Sequence, residues 1–272
     1  MIFSARRTLL RYFTQGVAGL ISEQGEAGQL AKRLKPRYIL SYGGGVNTTA
    51  LMVYLIQNNA PLDEAVFADT GSELPETYQN VRMAESYLKK FYIPFRTVKS
   101  NTGTLYETCK RRRVIPSKIW RWSTRDYKIT PIHRHYRSLN CHINEYLGIS
   151  FDEIERVKPN REPYITSIFP LVDNRITRDD CIRIIKEAGL KVPIKSGCFF
   201  CPFHSLEEWR WIYENHHDLY IKAMHLEEDS KHFPDQRLNK VTLRVLKDEH
   251  FNNGSRSAPT LSDNPCEAYC MT

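Results

Sequence analysis

A glycine-rich loop, placed between a short apolar strand and an apolar helical stretch, constrains the fold of this sequence most. Residues 38–41 are typical of a buried strand, glycines occupy positions 43–45, and an apolar stretch begins after residue 47. Glycines let backbone N–H groups turn toward a bound anion, and the positive end of the following helix attracts the same charge. The pattern therefore predicts a phosphate-binding loop formed by Ser41, Gly43, Gly44, Gly45, Asn47 and Thr48. A tight strand-to-helix turn without a ligand is the alternative.

Residues 64–68 form a second apolar run, and polar, turn-forming residues follow it up to position 78. In an open α/β sheet, ligands bind at the carboxyl ends of the strands. Two consecutive strands with polar ends therefore predict one shared ligand site. The second strand is expected to contribute Asp69, Thr70, Gly71 and Glu73.

Segments of strand length and helix length alternate from residue 38 onward, which predicts an α/β protein with a doubly wound, mostly parallel sheet. Strands are predicted over residues 38–41, 64–68, 94–98 and 165–171, and helices over 48–58, 75–91, 177–189 and 206–224. The basic, aromatic region 105–146 is expected to form helices and loops that lie over the strand ends. The predicted organisation is a helical extension over 1–36, an α/β core with a basic lid over 37–175, and a helical, cysteine-containing part over 176–272.

The chain has 272 residues, a formal net charge of +8 and an apolar share of 41%. No stretch approaches the ~20 apolar residues that span a bilayer, so no membrane partner is expected. The basic excess over residues 110–137 suits polyanions such as ATP or nucleic acid, although charge runs are most often solvated faces. The arginines before residue 20 are compatible with a transit peptide, but we expect an amphipathic helix. Seven cysteines without a secretory signal predict a reducing, cytoplasmic location.

Cys198 and Cys201 form a Cys-x-x-Cys pair, which places two sulfurs on one turn at a spacing suited to zinc or an iron–sulfur cluster. Further ligands are needed to complete such a site, and the candidates are Cys181, Cys266 and Cys270. Ligand identity does not separate zinc from a cluster, since both accept four thiolates. A redox dithiol and apolar core cysteines are the alternatives, and Cys181 suits core packing and ligation equally.

Residues 41–49 and 69–77 resemble the two motifs of the PP-loop ATP pyrophosphatase superfamily, within its phosphoadenosine phosphosulfate (PAPS) reductase-like branch. The resemblance continues over residues 147–159, 169–181 and 195–211 and in the terminal Cys-x-x-x-Cys, as in an uncharacterised bacterial and phage subgroup. Two positions depart from the pattern, because Asn47 replaces an aspartate and Ser123 replaces a cysteine. An amide carries no charge for a Mg²⁺-assisted role, and serine is not a soft metal ligand.

The resemblance implies an ATP-binding, adenylating enzyme that cuts ATP between its α and β phosphates and acts in sulfur transfer or nucleic-acid modification. It implies catalytic roles for Asn47, Asp69 and Lys128, with ATP, Mg²⁺ and a [4Fe-4S] cluster or Zn²⁺ as cofactors. The implied partners are an adenine nucleotide, tRNA or DNA as acceptor, and a sulfur donor such as a cysteine desulfurase. A non-catalytic binding module with structural zinc and a sulfonucleotide reductase are the alternatives. Trp120 and Trp122 are expected either to stack on a base or to fill the core of the lid.

Overall fold

The computed structural model describes residues 35–194 and 196–251. The strands are β1 Arg37–Ser41, β2 Glu64–Asp69, β3 Phe95–Lys99, β4 Ile143–Leu147 and β5 Ile165–Ile168. The helices are α1 Val46–Gln57, α2 Pro75–Lys89, α3 Leu105–Arg112, α4 Trp122–Thr124, α5 Thr130–Leu139, α6 Pro170–Asp173, α7 Arg178–Glu187, α8 Leu206–Asn215, α9 His217–Glu228 and α10 Leu243–Val245. Residues Arg125–Ile129 and Leu246–Phe251 are π-helical, and Phe151–Arg156 form a 3₁₀ helix.

The five strands form one parallel sheet in the order β3-β2-β1-β4-β5, which confirms the predicted doubly wound fold. The chain leaves β1 toward β2 on one side and reaches β4 on the other. The strand order therefore reverses between β1 and β4, and a crevice opens at their carboxyl ends, where ligands bind in sheets of this kind. The phosphate-loop motif follows β1, so its glycines lie at this crevice.

Strand β4 lies in a region where the sequence predicts only helices and loops. It pairs with β1 over its whole length, with Ile39 opposite Glu145 and Ser41 opposite Leu147. The strand reads Ile-Asn-Glu-Tyr-Leu, and all of its residues are buried except Asn144, which is half-buried. A buried carboxyl inside a five-residue strand interrupts the apolar run by which central parallel strands are normally detected. The prediction of helices and loops over residues 105–146 was therefore wrong at the end of this region, where the chain forms β4.

The other elements agree with the predicted ones to within a few residues, with two differences. The predicted strand 165–171 ends at Ile168, because Pro170 begins the short helix α6. The predicted helix 206–224 is divided into α8 and α9 at His216, whose backbone leaves the helical region. Helix α7 begins as predicted, since the Thr177 side chain accepts a hydrogen bond from the Asp180 backbone N–H in a capping box.

Within the described part of the chain, three apolar clusters form the core. One face of the sheet packs with α1, α2 and α7, and this cluster includes Leu51, Phe67 and Cys181. The other face packs with α5 through Ile132 and Tyr136. The third cluster joins α3, α8 and α9, and it includes Cys198, Phe200 and Trp209. The helical, cysteine-containing C-terminal part is thereby confirmed. Among the described helices, none is both long and apolar enough to cross a membrane.

Candidate functional site

The loop between β1 and α1 has the geometry of an anion cradle. Gly44 adopts φ +77°, a left-handed conformation that favours glycine, and its carbonyl accepts a hydrogen bond of 3.0 Å from the Asn80 amide. Gly45 is the N-cap residue of α1, and no described side chain caps the helix there. The first backbone N–H groups of α1 are therefore left without a side-chain acceptor, at the positive end of the helix dipole. The loop can receive a phosphate in this position.

Gly148, directly after β4, closes the other wall of the crevice. A Cβ at this position would lie 2.6 Å from Thr48 Cγ2 and 2.9 Å from the Thr48 backbone. Only glycine lets the segment after β4 approach the start of α1 so closely. The Thr48 hydroxyl itself donates to the Gly45 carbonyl at 3.2 Å, so it rigidifies the loop from inside.

A cavity opens above the loop and collects most of the predicted phosphate-binding residues. It is lined by the predicted residues Ser41, Gly43, Gly45, Asn47, Thr48 and Lys128. Gly44 lies behind the lining, where its Cβ would meet Thr77 and Ser196. Among the other lining residues, the charged side chains Glu153, Arg156 and Arg178 and the hydroxyl of Ser196 were not assigned from the sequence. These four residues lie in the later segments of the family resemblance, 147–159, 169–181 and 195–211. That resemblance was the sequence signal by which they could have been assigned to the site.

Asn47 is the centre of a charged network at one end of the cavity. Its amide nitrogen donates to Glu153 Oε2 at 2.9 Å and to Ser150 Oγ at 3.1 Å. Its amide oxygen accepts from Arg178 Nη1 at 2.9 Å. Glu153 also pairs with Arg156. The Asn47 amide therefore bridges the Glu153 carboxylate and the Arg178 guanidinium. A carboxylate at position 47 could accept from Arg178 but could not donate to Glu153.

Asp69 is directed toward its own turn and away from the cavity. One carboxylate oxygen accepts from the Gly71 backbone N–H at 2.7 Å and from the Tyr78 hydroxyl at 2.9 Å. The other oxygen lies 3.0 Å from Lys99 Nζ. Burial, followed by the hydrogen bond to Asp69, raises the pKa of Tyr78. The described contacts of Asp69 thus shape the turn after β2, and its predicted catalytic role stays a prediction.

The residues that follow Asp69 meet the cysteine pair. Thr70 Oγ1 lies 2.9 Å from Glu73 Oε1 and 3.2 Å from Cys198 Sγ. Cys198 Sγ lies 3.6 Å from the same Glu73 oxygen, and residues 73 and 198 form an antiparallel β-bridge. Lys128 Nζ lies 3.8 Å from Glu73 Oε1 while its side chain also lines the cavity. Gly71 and Glu73 line a neighbouring cavity. The thiol, the second motif and the cavity above the loop between β1 and α1 are therefore contiguous.

The Cys198 thiol is held in its protonated form. Burial raises its pKa well above the ordinary value, and the Glu73 carboxylate raises it further, while Lys128 acts in the opposite direction. Cys201 lies one turn away, where its backbone N–H donates to the Cys198 carbonyl at 3.0 Å. A nearby cation would reverse this balance and favour the thiolate.

The described residues do not complete a metal centre by themselves. No group of three or more His, Cys, Asp or Glu side chains suited to a metal ion occurs within residues 35–194 and 196–251. Cys181 belongs to the apolar cluster between α1 and α7, whereas Cys198 belongs to the third cluster, and burial raises the pKa of Cys181 to about 12. This favours the core-packing interpretation of Cys181. Cys266 and Cys270, like the extension over 1–34, lie outside the described residues.

A buried hydrogen-bonded chain supports the phosphate loop from within the sheet. The Tyr136 hydroxyl donates to Glu145 Oε1 at 3.0 Å, and a side-chain hydrogen bond joins Tyr136 to Ser41. Burial raises the pKa of Glu145 to about 7, although hydrogen bonds from Tyr136 and Asn160 counteract part of the shift. Ser41 is thus fixed at the end of β1, directly before the glycines.

Known protein families and solved structures include chains similar to this one. Residues 37–144 match the family model of the phosphoadenosine phosphosulfate reductase domain, which confirms the predicted resemblance to this family. A comparison with curated proteins found no match. The PAPS reductase from Candida auris, solved as a phosphate complex, is similar with 18% identity and a TM-score of 0.45, over 64% of this chain and 82% of that chain. The U34-tRNA thiolase NcsA from Methanococcus maripaludis, solved with its [4Fe-4S] cluster, is similar with 16% identity and a TM-score of 0.39, over 72% of each chain.

Proposed function

We propose that this protein is an adenine-nucleotide-binding enzyme that cleaves ATP between the α and β phosphates and uses the adenylated product for sulfur transfer. An acceptor oxygen would attack the α-phosphorus, the bond to the bridging oxygen would break, and pyrophosphate would leave. A sulfur nucleophile would then displace AMP from the acceptor. The observation that carries this proposal is the contact between Cys198 and Glu73, which puts a thiol beside the nucleotide motifs.

The cavity supplies the groups that such a reaction needs. Backbone N–H groups at the start of α1 would hold one phosphate, and Lys128 and Arg178, which both line the cavity, would add positive charge. Arg178 is positioned by its hydrogen bond to Asn47, and Asn47 in turn is fixed by Glu153. Fixed cationic groups of this kind stabilise the charge that develops on a departing pyrophosphate. Mg²⁺ would enter with the triphosphate.

The cysteine cofactor is a separate part of the proposal. Cys198 and Cys201 would supply two thiolates, and Cys266 and Cys270 would complete a four-thiolate zinc site. A [4Fe-4S] cluster held by only three of these four thiolates would keep one open coordination position, at which it would carry the sulfur. Anaerobic purification followed by iron, sulfide and zinc analysis tests this part. Matched iron and sulfide would support it, whereas one zinc per chain would favour a structural role and a binding module.

Nucleotide binding and turnover test the main proposal. The full chain is titrated with ATP and with adenosine by calorimetry, and pyrophosphate release is measured with ATP. We expect ATP to bind more tightly than adenosine, and Arg178→Ala to weaken ATP at least ~10-fold while adenosine is unaffected. Arg183→Ala is the matched control, because Arg183 lies on the same helix and pairs with Asp180 and Glu187 outside the cavity. Failure of ATP to bind the wild-type chain would refute the proposal.

A further inference from the structure

Trp120 is held outside the core, on a surface that the proposed chemistry does not explain. Its side chain is 76% exposed and that of Ile119 is 85% exposed, although large apolar side chains are normally buried. The Ser117 hydroxyl oxygen accepts hydrogen bonds from the backbone N–H groups of Ile119 and Trp120, at 3.1 and 3.2 Å. The turn is therefore ordered and presents the indole outward. Trp122, by contrast, packs edge-on against Tyr127, with ring centroids 6.4 Å apart.

Positive side chains surround this indole. Trp120 lines a surface cavity together with the cations Lys118, Arg237 and Lys240, whereas the acidic lining is Asp235. Arg237 donates from its guanidinium to the Lys240 carbonyl at 3.2 Å, which fixes the direction of its charge. We call this group of Lys118, Ile119, Trp120, Arg237 and Lys240 the Trp120 surface. Its net charge favours a polyanion over a neutral apolar partner.

The Trp120 surface adjoins the cysteine pair. Pro202, the residue after Cys201, lines the same cavity. Lys118 Nζ also lies 5.6 Å from the centre of the Phe203 ring, two residues after Cys201. A chain molecule bound along the Trp120 surface would therefore pass beside the segment that follows the two cysteines.

We infer that the Trp120 surface binds a single-stranded nucleic acid, with one base stacked on Trp120 and the neighbouring phosphates held by Lys118, Arg237 and Lys240. Single-strand binding requires an exposed aromatic face with cations beside it. The aromatic face stacks on the π-face of a base, and the cations attract the negatively charged phosphate that links each nucleotide to the next. A single strand is required, since stacked and paired bases do not present a free face to an indole. The inference that this nucleic acid is the acceptor of the reaction rests on the proposed function. The inference that the Trp120 surface binds a single strand does not.

Fluorescence anisotropy with a labelled oligouridine of ~12 nucleotides tests the inference on the full chain. We expect Trp120→Ala to weaken binding about tenfold, Trp120→Phe to retain most of it, and a duplex to bind less well than the single strand. Each phosphate contact on a single strand contributes ~0.7 to the slope of log affinity against log salt, so the triple Lys118→Ala, Arg237→Ala, Lys240→Ala variant should lose about two units of slope between ~50 and ~200 mM salt.

Tyr92→Ala is the matched control, because Tyr92 is an aromatic residue that is 96% exposed and does not line this cavity. Equal affinity of wild type and Trp120→Ala, or no binding by the wild-type chain, would overturn the inference. So would loss of self-association on Trp120→Ala without any change in oligonucleotide binding. ATP binding by the same variants separates the two proposals, since the Trp120 surface should bind the oligonucleotide whether or not ATP binds.

Discussion

Replacement of Asn47 by aspartate is the change that examines the charged network most directly. The amide of Asn47 donates to Glu153 Oε2 at 2.9 Å and accepts from Arg178 at 2.9 Å. In Asn47→Asp, the donor becomes an oxygen that faces the Glu153 carboxylate at a similar separation. The variant matches the usual family residue, yet in this chain it creates a like-charge pair that is buried beside the cavity.

The magnitude follows from that separation. Two unit charges about 3 Å apart interact with about 5 kcal/mol at an effective dielectric constant of ~20. The new ion pair between the carboxylate introduced at position 47 and Arg178 offsets part of this repulsion. A proton shared between the carboxyl groups at positions 47 and 153 reduces the repulsion further. We therefore expect the free energy of unfolding to fall by ~2–3 kcal/mol at pH 8.

The sign of the pH dependence is part of the prediction. A shared proton raises a carboxyl pKa in the folded state above its unfolded value of ~4. The penalty is complete above the raised pKa and disappears as the pH falls toward ~4. The difference in unfolding free energy between wild type and Asn47→Asp should therefore widen from pH 5 to pH 8, as measured by urea unfolding with tryptophan fluorescence.

Two controls make this result interpretable. Glu153→Gln in the Asn47→Asp background removes the repulsion, so the double variant should be more stable at pH 8 than additivity predicts. Asn58→Asp changes the same residue type at the exposed end of α1, where we expect a small effect without a pH trend above 5. A stability difference for Asn47→Asp that does not vary with pH would refute the contact between Asn47 and Glu153.

Three further predictions concern single positions. Gly148→Ala places a Cβ 2.6 Å from Thr48 Cγ2, so ATP binding measured by calorimetry should weaken at least ~10-fold and the unfolding free energy should fall by ~1–3 kcal/mol. The pKa of the Glu145 carboxyl is raised to about 7, and a raised carboxyl pKa costs stability as the pH rises. Urea unfolding of Glu145→Gln should accordingly show a smaller loss of stability between pH 5 and pH 8 than wild type. Cys181→Ala should retain the bound zinc or iron of the purified protein, measured by mass spectrometry, whereas Cys198→Ala should lose it.

Each of these predictions has a matched comparison. Gly43→Ala should be tolerated in urea unfolding, because a Cβ there would lie 3.8 Å from Thr48 in ordinary contact. Glu155→Gln alters an exposed carboxyl near β4 and should leave the pH trend of stability unchanged. Equal metal loss in Cys181→Ala and Cys198→Ala would contradict the assignment of Cys181 to the apolar core.

The parts of the fold and site that could be predicted are those with local signals. The three glycines, the polar end of β2 and the Thr177 cap are each recognisable from a few adjacent residues, and the structure places them as expected. Strand β4 was not predicted, because the burial of Glu145 depends on its hydrogen bond with Tyr136. This is a tertiary contact that the local sequence pattern does not show. Arg178 escaped for the same reason, since its role depends on a contact with Asn47 across 131 residues.

The β-bridge between Glu73 and Cys198 has a consequence for the order in which the molecule assembles. Its two sides are 125 residues apart in the chain, and the hydrogen bonds from Leu74 to Gly197 and from Phe199 to Ser72 extend the same pairing. Contacts of such long sequence separation form late, because the intervening loop must first be closed. A nascent chain that ends before residue 196 would therefore hold its phosphate loop complete while Thr70 and Glu73 still lacked their thiol partner. The loop between β1 and α1 can therefore form before the cysteine pair reaches the second motif during synthesis.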